Sequence, residues 1–195
     1  MTSEFEQKLE KYAELIIKVG LNLQPEQRLL ILASSLDVSP LVRKVTASAY
    51  RHGSRLVTVV WFDEQLDRIR FQYAPRDSFE EINAWEANGI IQCSERGDAL
   101  VSIRGNNPEL LKDQDPELIT IASNTRSRHM KPLYDEHIRK NQRQWLVVCP
   151  PTPDWASKVF PKDTAENAEA RLWEAVFKAT RLDQPDPIAF WEKQM

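Results

Sequence analysis

Three histidines, two cysteines and a scatter of carboxylates are the residues of this 195-residue chain that could hold a metal ion or carry a nucleophile. A hydrolytic metal centre needs three or more His, Asp, Glu or Cys ligands converging, often with two histidines one helical turn apart. His52, His129 and His137 stand apart in the sequence. The last two could share a helical face, but Pro132 lies between them and argues against a straight helix, so solvent-facing histidines are the plainer reading. Neither Cys93 nor Cys149 has a histidine close by or a ligand spacing to the other, and no G-x-S-x-G is present. On this reading the chain carries no catalytic residue, no metal ligand and no cofactor-binding residue of its own.

Phosphate-binding devices are missing in the same way. A dinucleotide site brings backbone close to a pyrophosphate and needs glycines in the first strand-to-helix turn, whereas the turn here reads ASSLDVSP. Five glycines in the whole chain leave no P-loop. Asp63 falls at the end of a strand, where a ribose-binding acid would stand, but a helix cap explains it as well. The basic residues Arg126, Arg128, Lys131, Arg139, Lys140 and Arg143 are interleaved with Asp135 and Glu136, which reads as a solvated face and not a nucleic-acid patch.

The elements that must position any site follow an alternating pattern. Ser3 and Glu6 have the spacing of a capping box, and Phe5, Leu9, Tyr12, Ile16 and Val19 form one helical stripe that Gly20 can end. Short apolar runs near 28–34, 55–62, 98–104 and 144–149 read as strands buried on both faces, as in a parallel sheet. Between them lie helical patterns: one capped at Ser39 with Pro40 in its first turn, one from 63 to 73, one capped by Ser78 and Glu81, and one over 116–141 broken near Pro132. A later helix carries Asp163 and Glu166 as its capping pair and Ala165, Ala168, Leu172, Val176 and Phe177 as its inward face. Strands alternating with helices predict an α/β three-layer domain with a mostly parallel sheet of about four core strands.

The stretch WLVVCPPTPDWASKVFP at 145–161 is the most distinctive. Its strand, with Cys149 as a small buried thiol, must leave the sheet at Pro150, Pro151 and Pro153, and no regular helix is expected before Asp154. Trp155 and Phe160 beyond it are too apolar for a free loop. A stiff segment at 184–187 then leads to Phe190 and Trp191 in a final apolar turn too short to be stable alone.

Composition adds few restrictions. With 42% apolar residues, 28% charged and a net charge of −3, the chain has an ordinary globular balance with no pull toward polyanions. The N-terminus has no apolar core for a signal peptide or anchor, and no window suits a membrane span. The two cysteines suggest a reducing, cytoplasmic setting.

Several of these strings resemble the thermophilic-type metallo-aminopeptidases of the aminopeptidase T and aminopeptidase S kind: KYAELIIKVGLNLQPEQRLLI at 11–31, AYRHG at 49–53, WFD at 61–63, the 145–161 stretch, and ENAEARLWEAVFKATRLDQPDPIAFW at 166–191. The matches run in one order through nearly the whole chain. The resemblance implies that residues 1–183 form the N-terminal α/β domain and that 184–195 are a linker and the start of a truncated C-terminal catalytic domain. It also implies two divalent metal ions in that second domain, and peptide substrates for the whole protein. The expected partners are the protein's own C-terminal domain, met through Trp155, Phe160, Phe190 and Trp191, and a second copy in a homodimer, with neither nucleic acid nor membrane. A free-standing nucleotide or flavin binder, or a non-enzymatic assembly module, are the alternative readings.

Overall fold

A computed structural model describes residues 3–140 and 143–194. Four strands, β1 (Arg28–Ala33), β2 (Leu56–Trp61), β3 (Ala99–Ile103) and β4 (Trp145–Val148), form one sheet in the order β2-β1-β3-β4. Every pairing is parallel, with Ile31 opposite both Val59 and Val101, and Val101 opposite Leu146. The four apolar runs therefore do pair as expected, because continuous Val, Leu and Ile suit a sheet covered on its two faces.

The helices are α1 (Ser3–Leu15), α2 (Ser39–Arg51), α3 (Glu64–Tyr73), α4 (Ala84–Glu95), α5 (Pro116–Pro132), α6 (Pro153–Val159), α7 (Ala165–Ala179) and α8 (Pro187–Glu192). One sheet face gathers Leu29, Ile31, Ala99, Val101 and Ile103 against Leu9, Ile17, Val42 and Val45, with Trp173 and Phe177 of α7 closing the layer. The opposite face packs Leu30 and Leu100 against Ala87, Ile90, Met130 and Leu133. Helices on both faces make the three layers. None of the described helices is long and apolar enough to cross a membrane.

Several local expectations need correction. Ser3 is already helical, so its hydroxyl lies inside the first turn of α1. Gly20 closes the π-helical turn Ile16–Gly20, but its lack of a side chain serves a close approach: a Cβ there would lie 2.7 Å from a Leu146 methyl. Ser39 is not a cap; Ser35 accepts from the Asp37 amide instead and starts a single 3-10 turn, Leu36–Val38, that runs into α2. Ser78 sits in another such turn, Arg76–Glu80, and α4 begins only at Ala84. Thr164, not Asp163, caps α7, and the Asp163 carboxylate pairs with Arg171 at 2.6 Å. Ala165 faces solvent, while Trp173 joins the buried face of α7.

The regular α-helix ends at Pro132, where a break was expected, but the chain stays coiled and continues as a π-helical turn over Leu133–Ile138. Residues 141 and 142, at the end of that stretch, lie outside the described residues. Helix α6 starts at Pro153, one residue earlier than expected, because a first-turn proline gives up an amide that would have no helical partner. Finally, β4 is an edge strand: Trp145 and Val147 are exposed on its outer face, and Cys149, beyond its end, is exposed as well.

Candidate functional site

In an open parallel sheet, a ligand crevice forms outside the carboxyl ends of the strands, where the connections change direction. Here that point lies between β1 and β3. The segments leaving the strands lock together across it: the Ser34 amide donates to the Ile103 carbonyl at 3.0 Å, and the Gly105 amide donates to Ser34 Oγ at 2.8 Å. Gly105 is packed so tightly that a Cβ would stand 2.5 Å from Val38 Cγ1 and 2.7 Å from Thr152 Cγ2. The chain's own side chains fill the place a nucleotide would take in a doubly wound binder.

Glu64 is the buried carboxylate of this end of the sheet, 8% exposed in the first turn of α3. Its Oε2 accepts from the Asn107 amide at 2.9 Å and from Asn106 Nδ2 at 3.3 Å. Burial pushes its carboxyl above the usual glutamate range, the two asparagine hydrogen bonds oppose the shift, and the charges of Asp154 and Asp37 add to it. Sequence reasoning missed this residue, since an acid in the first turn of a helix reads as a complement to the helix dipole on a solvent face. Asp63 takes its plainer role and caps α3 by accepting from the Gln65 amide at 2.9 Å.

Beside Glu64 opens a polar cleft of about 600 Å3 lined by Arg68, Asn107, Lys112, Asp154 and Lys158. Its charges are largely spoken for. Asn107 Nδ2 donates to Asp154 at 2.8 Å, Lys158 pairs with Glu109, and Lys112 reaches the same glutamate at 3.5 Å. Thr152, at the N-terminus of α6, is 2% exposed, and its Oγ1 has no hydrogen-bond partner among the described residues.

The four aromatic residues expected at a domain contact fall into two pairs. Trp155 and Phe160 lie against Ala156, Ala168 and Leu172, a small core between α6 and α7, and Arg171 stacks on the Phe160 ring at 4.1 Å. Phe190 and Trp191 meet edge to face at 5.7 Å by the far end of α7, where Arg181 approaches Phe190 at 5.9 Å. All four are half-buried. The first pair attaches to α7 at Ala168 and Leu172 and the second at Thr180, where Trp191 is bonded, so about two helical turns, roughly 12 Å along the axis, lie between the two attachment points.

Among the described residues the donors do not fit a metal centre. His129 Nδ1 lies 2.9 Å from the Thr125 carbonyl one turn back, and the side chain of His137 lies outside the described residues. Burial raises the Cys93 thiol above its usual range; Asp98 adds to this and Arg96 opposes it. Among the described residues no three His, Cys, Asp or Glu side chains are placed to share an ion. The basic residues of α5 and its continuation do not converge either: Arg126 pairs with Glu86, Arg139 and Lys131 with Asp135, and Arg143 Nε donates to the Ser94 carbonyl at 2.7 Å.

Known proteins share this arrangement over nearly all of the chain. Aminopeptidase 2 of Geobacillus stearothermophilus is 42% identical over 191 residues, covering 98% of this chain and 46% of that protein. Aminopeptidase T of Thermus thermophilus is 39% identical, covering 96% of this chain and 46% of its own length. The solved structure of wild-type AmpT from Thermus thermophilus superposes with a TM-score of 0.88 at 36% identity, over 97% of this chain and 46% of that one. The chain thus spans about half the length of the relatives it matches. Residues 5–195 match the family described as thermophilic metalloprotease (M29), and on that match this chain belongs to the M29 family.

Proposed function

We propose that this chain is the N-terminal, non-catalytic part of a metal-dependent aminopeptidase that acts in the cytoplasm and releases N-terminal amino acids from peptides. The observation that carries the reading is the lopsided match: aminopeptidases align with 96–98% of this chain but with only 46% of themselves. In this reading residues 1–183 are the accessory domain and 184–195 lead into the catalytic part, which holds the divalent metal ions. Trp155, Phe160, Phe190 and Trp191 contact that part at two points along α7, and the whole protein pairs as a homodimer. The filling of the sheet's crevice by Val38, Gly105 and Thr152 favours an accessory role over a nucleotide-binding one.

The test is an assay on a leucine anilide after chelation and re-addition of zinc, cobalt or manganese. The 195-residue chain is expected to be inactive, and a product of the same gene extended past residue 195 to be active only with metal. Metal-dependent turnover by the short chain would overturn the assignment, as would an extended chain inactive with every metal.

A further inference from the structure

The cleft beside Glu64 is built by the segments that leave three strands at their carboxyl ends: α3 after β2, residues 105–115 after β3, and α6 after β4. This is the end of an open parallel sheet at which α/β folds take their ligands. Its charged lining balances, with Arg68, Lys112 and Lys158 against Glu109, Asp113 and Asp154. A cleft without net charge gives a plain anion or a plain cation as much repulsion as attraction. Internal contacts occupy four of the six groups: Glu109 is shared by Lys112 and Lys158, and Asp154 accepts from Asn107. The other two stay open. Neither the Arg68 guanidinium nor the Asp113 carboxylate pairs with any group among the described residues, and they do not pair with each other, although both line the same cleft. Leu110 and Pro161 add apolar wall to it.

We propose that this cleft binds a zwitterion of the size of an amino acid or a dipeptide, with its carboxylate on Arg68, its ammonium on Asp113 and an apolar side chain against Leu110 and Pro161. A planar guanidinium matches a carboxylate with two parallel hydrogen bonds, and an ammonium donates to a carboxylate in any of three directions. A ligand charged oppositely at its two ends satisfies both open groups and leaves the balance of the cleft unchanged. The volume of about 600 Å3 holds either size of ligand. Arg68 and Asp113 are exposed, so the binding is weak. The proposal gives the accessory part a ligand of its own, and it rests on the cleft alone and not on the aminopeptidase reading.

The test is a titration of the isotope-labelled 195-residue chain with L-leucine and with L-leucylglycine to ~20 mM, a range that covers the millimolar affinity expected of so small a ligand, read by amide chemical shifts. Saturable shifts are expected at residues 110–113 and 157–161. The ligand that binds more tightly assigns the cleft to a free amino acid or to a short peptide. Its amide, which lacks the carboxylate, and its N-acetyl derivative, which lacks the ammonium, should each bind at least about threefold more weakly, as a screened ion pair allows. Arg68→Gln should erase the difference between that ligand and its amide, and Asp113→Asn the difference between it and its N-acetyl derivative, because each substitution removes the partner of the group the analogue lacks. Saturable shifts with neither ligand, an analogue that binds as well as its parent, or substitutions that leave these differences in place overturn the proposal. Any of those results leaves the metal-dependent anilide assay of the extended chain unaffected, so the two readings fail separately.

Discussion

Trp191 donates its indole Nε1–H to the carbonyl of Thr180 at 2.9 Å, which binds the last helix to the end of α7. The last carbonyls of a helix have no partner of their own, so a side chain that satisfies one joins two elements with a single bond. The same indole packs beside Ile188 on the main core. Trp191→Phe is expected to keep the packing and lose the bond, lowering stability by about 0.5–1.5 kcal/mol. In hydrogen exchange the amides of α8 should lose protection before those of α7; equal loss across the domain would show that the bond is not what holds α8.

Two glycines should respond to alanine with opposite signs. Gly89 lies inside α4 with nothing within 4 Å of an added Cβ, so Gly89→Ala is expected to stabilise the fold by about 0.5–1 kcal/mol through backbone entropy. At Gly105 the added carbon meets two branched, stiff neighbours, Val38 and Thr152, and Gly105→Ala should cost about 1–3 kcal/mol. Adding Thr152→Ser to Gly105→Ala removes the methyl obstruction on one side and should recover part of that loss. Urea midpoints of the four proteins decide it.

Glu64 makes stability depend on pH in a direction set by its burial. A carboxyl raised in the folded state keeps its proton to higher pH than in the unfolded chain. The stabilisation from protonation is therefore complete below the unfolded value, about 4.3, and is lost as pH rises through the folded value. Glu64→Gln keeps an acceptor for the Asn107 amide and cannot titrate, so its stability relative to the native chain should increase as pH rises across that window. A difference that stays flat with pH would mean that Glu64 is solvated.

Tyr12 offers the alkaline counterpart. Burial against Trp173 and Phe177, with a smaller contribution from Cys149, pushes its hydroxyl up to about 12. The folded state holds this proton where an unfolded tyrosine, near 10, has lost it, so the associated stability is full below about 10 and lost as pH rises toward the folded value. Tyr12→Phe should leave the neutral-pH melting temperature within a few degrees and remove the part of the alkaline loss between about 10 and 12. An ultraviolet titration that shows the same delayed tyrosine in the variant would contradict the assignment.

The alternation of apolar runs with helical stripes determined the layered α/β fold and all four strands, because a strand buried in a parallel sheet must be apolar along its whole length. The strings around 11–31 and 145–161 likewise carried the family. Capping positions at Ser39, Ser78 and Asp163 were misread because a hydroxyl or carboxylate ahead of a helix suits several turns equally, and only the surrounding chain selects one. Which strands stand at the edge, and so leave Trp145, Val147 and Cys149 exposed, was decided by the order β2-β1-β3-β4, which no local pattern encodes. Leu66 and Ile69 were counted toward an ordinary helix, and their outward direction with Glu64 turned inward follows from tertiary structure alone: the Asn106 and Asn107 groups that make burial of that carboxylate tolerable arrive from more than forty residues away.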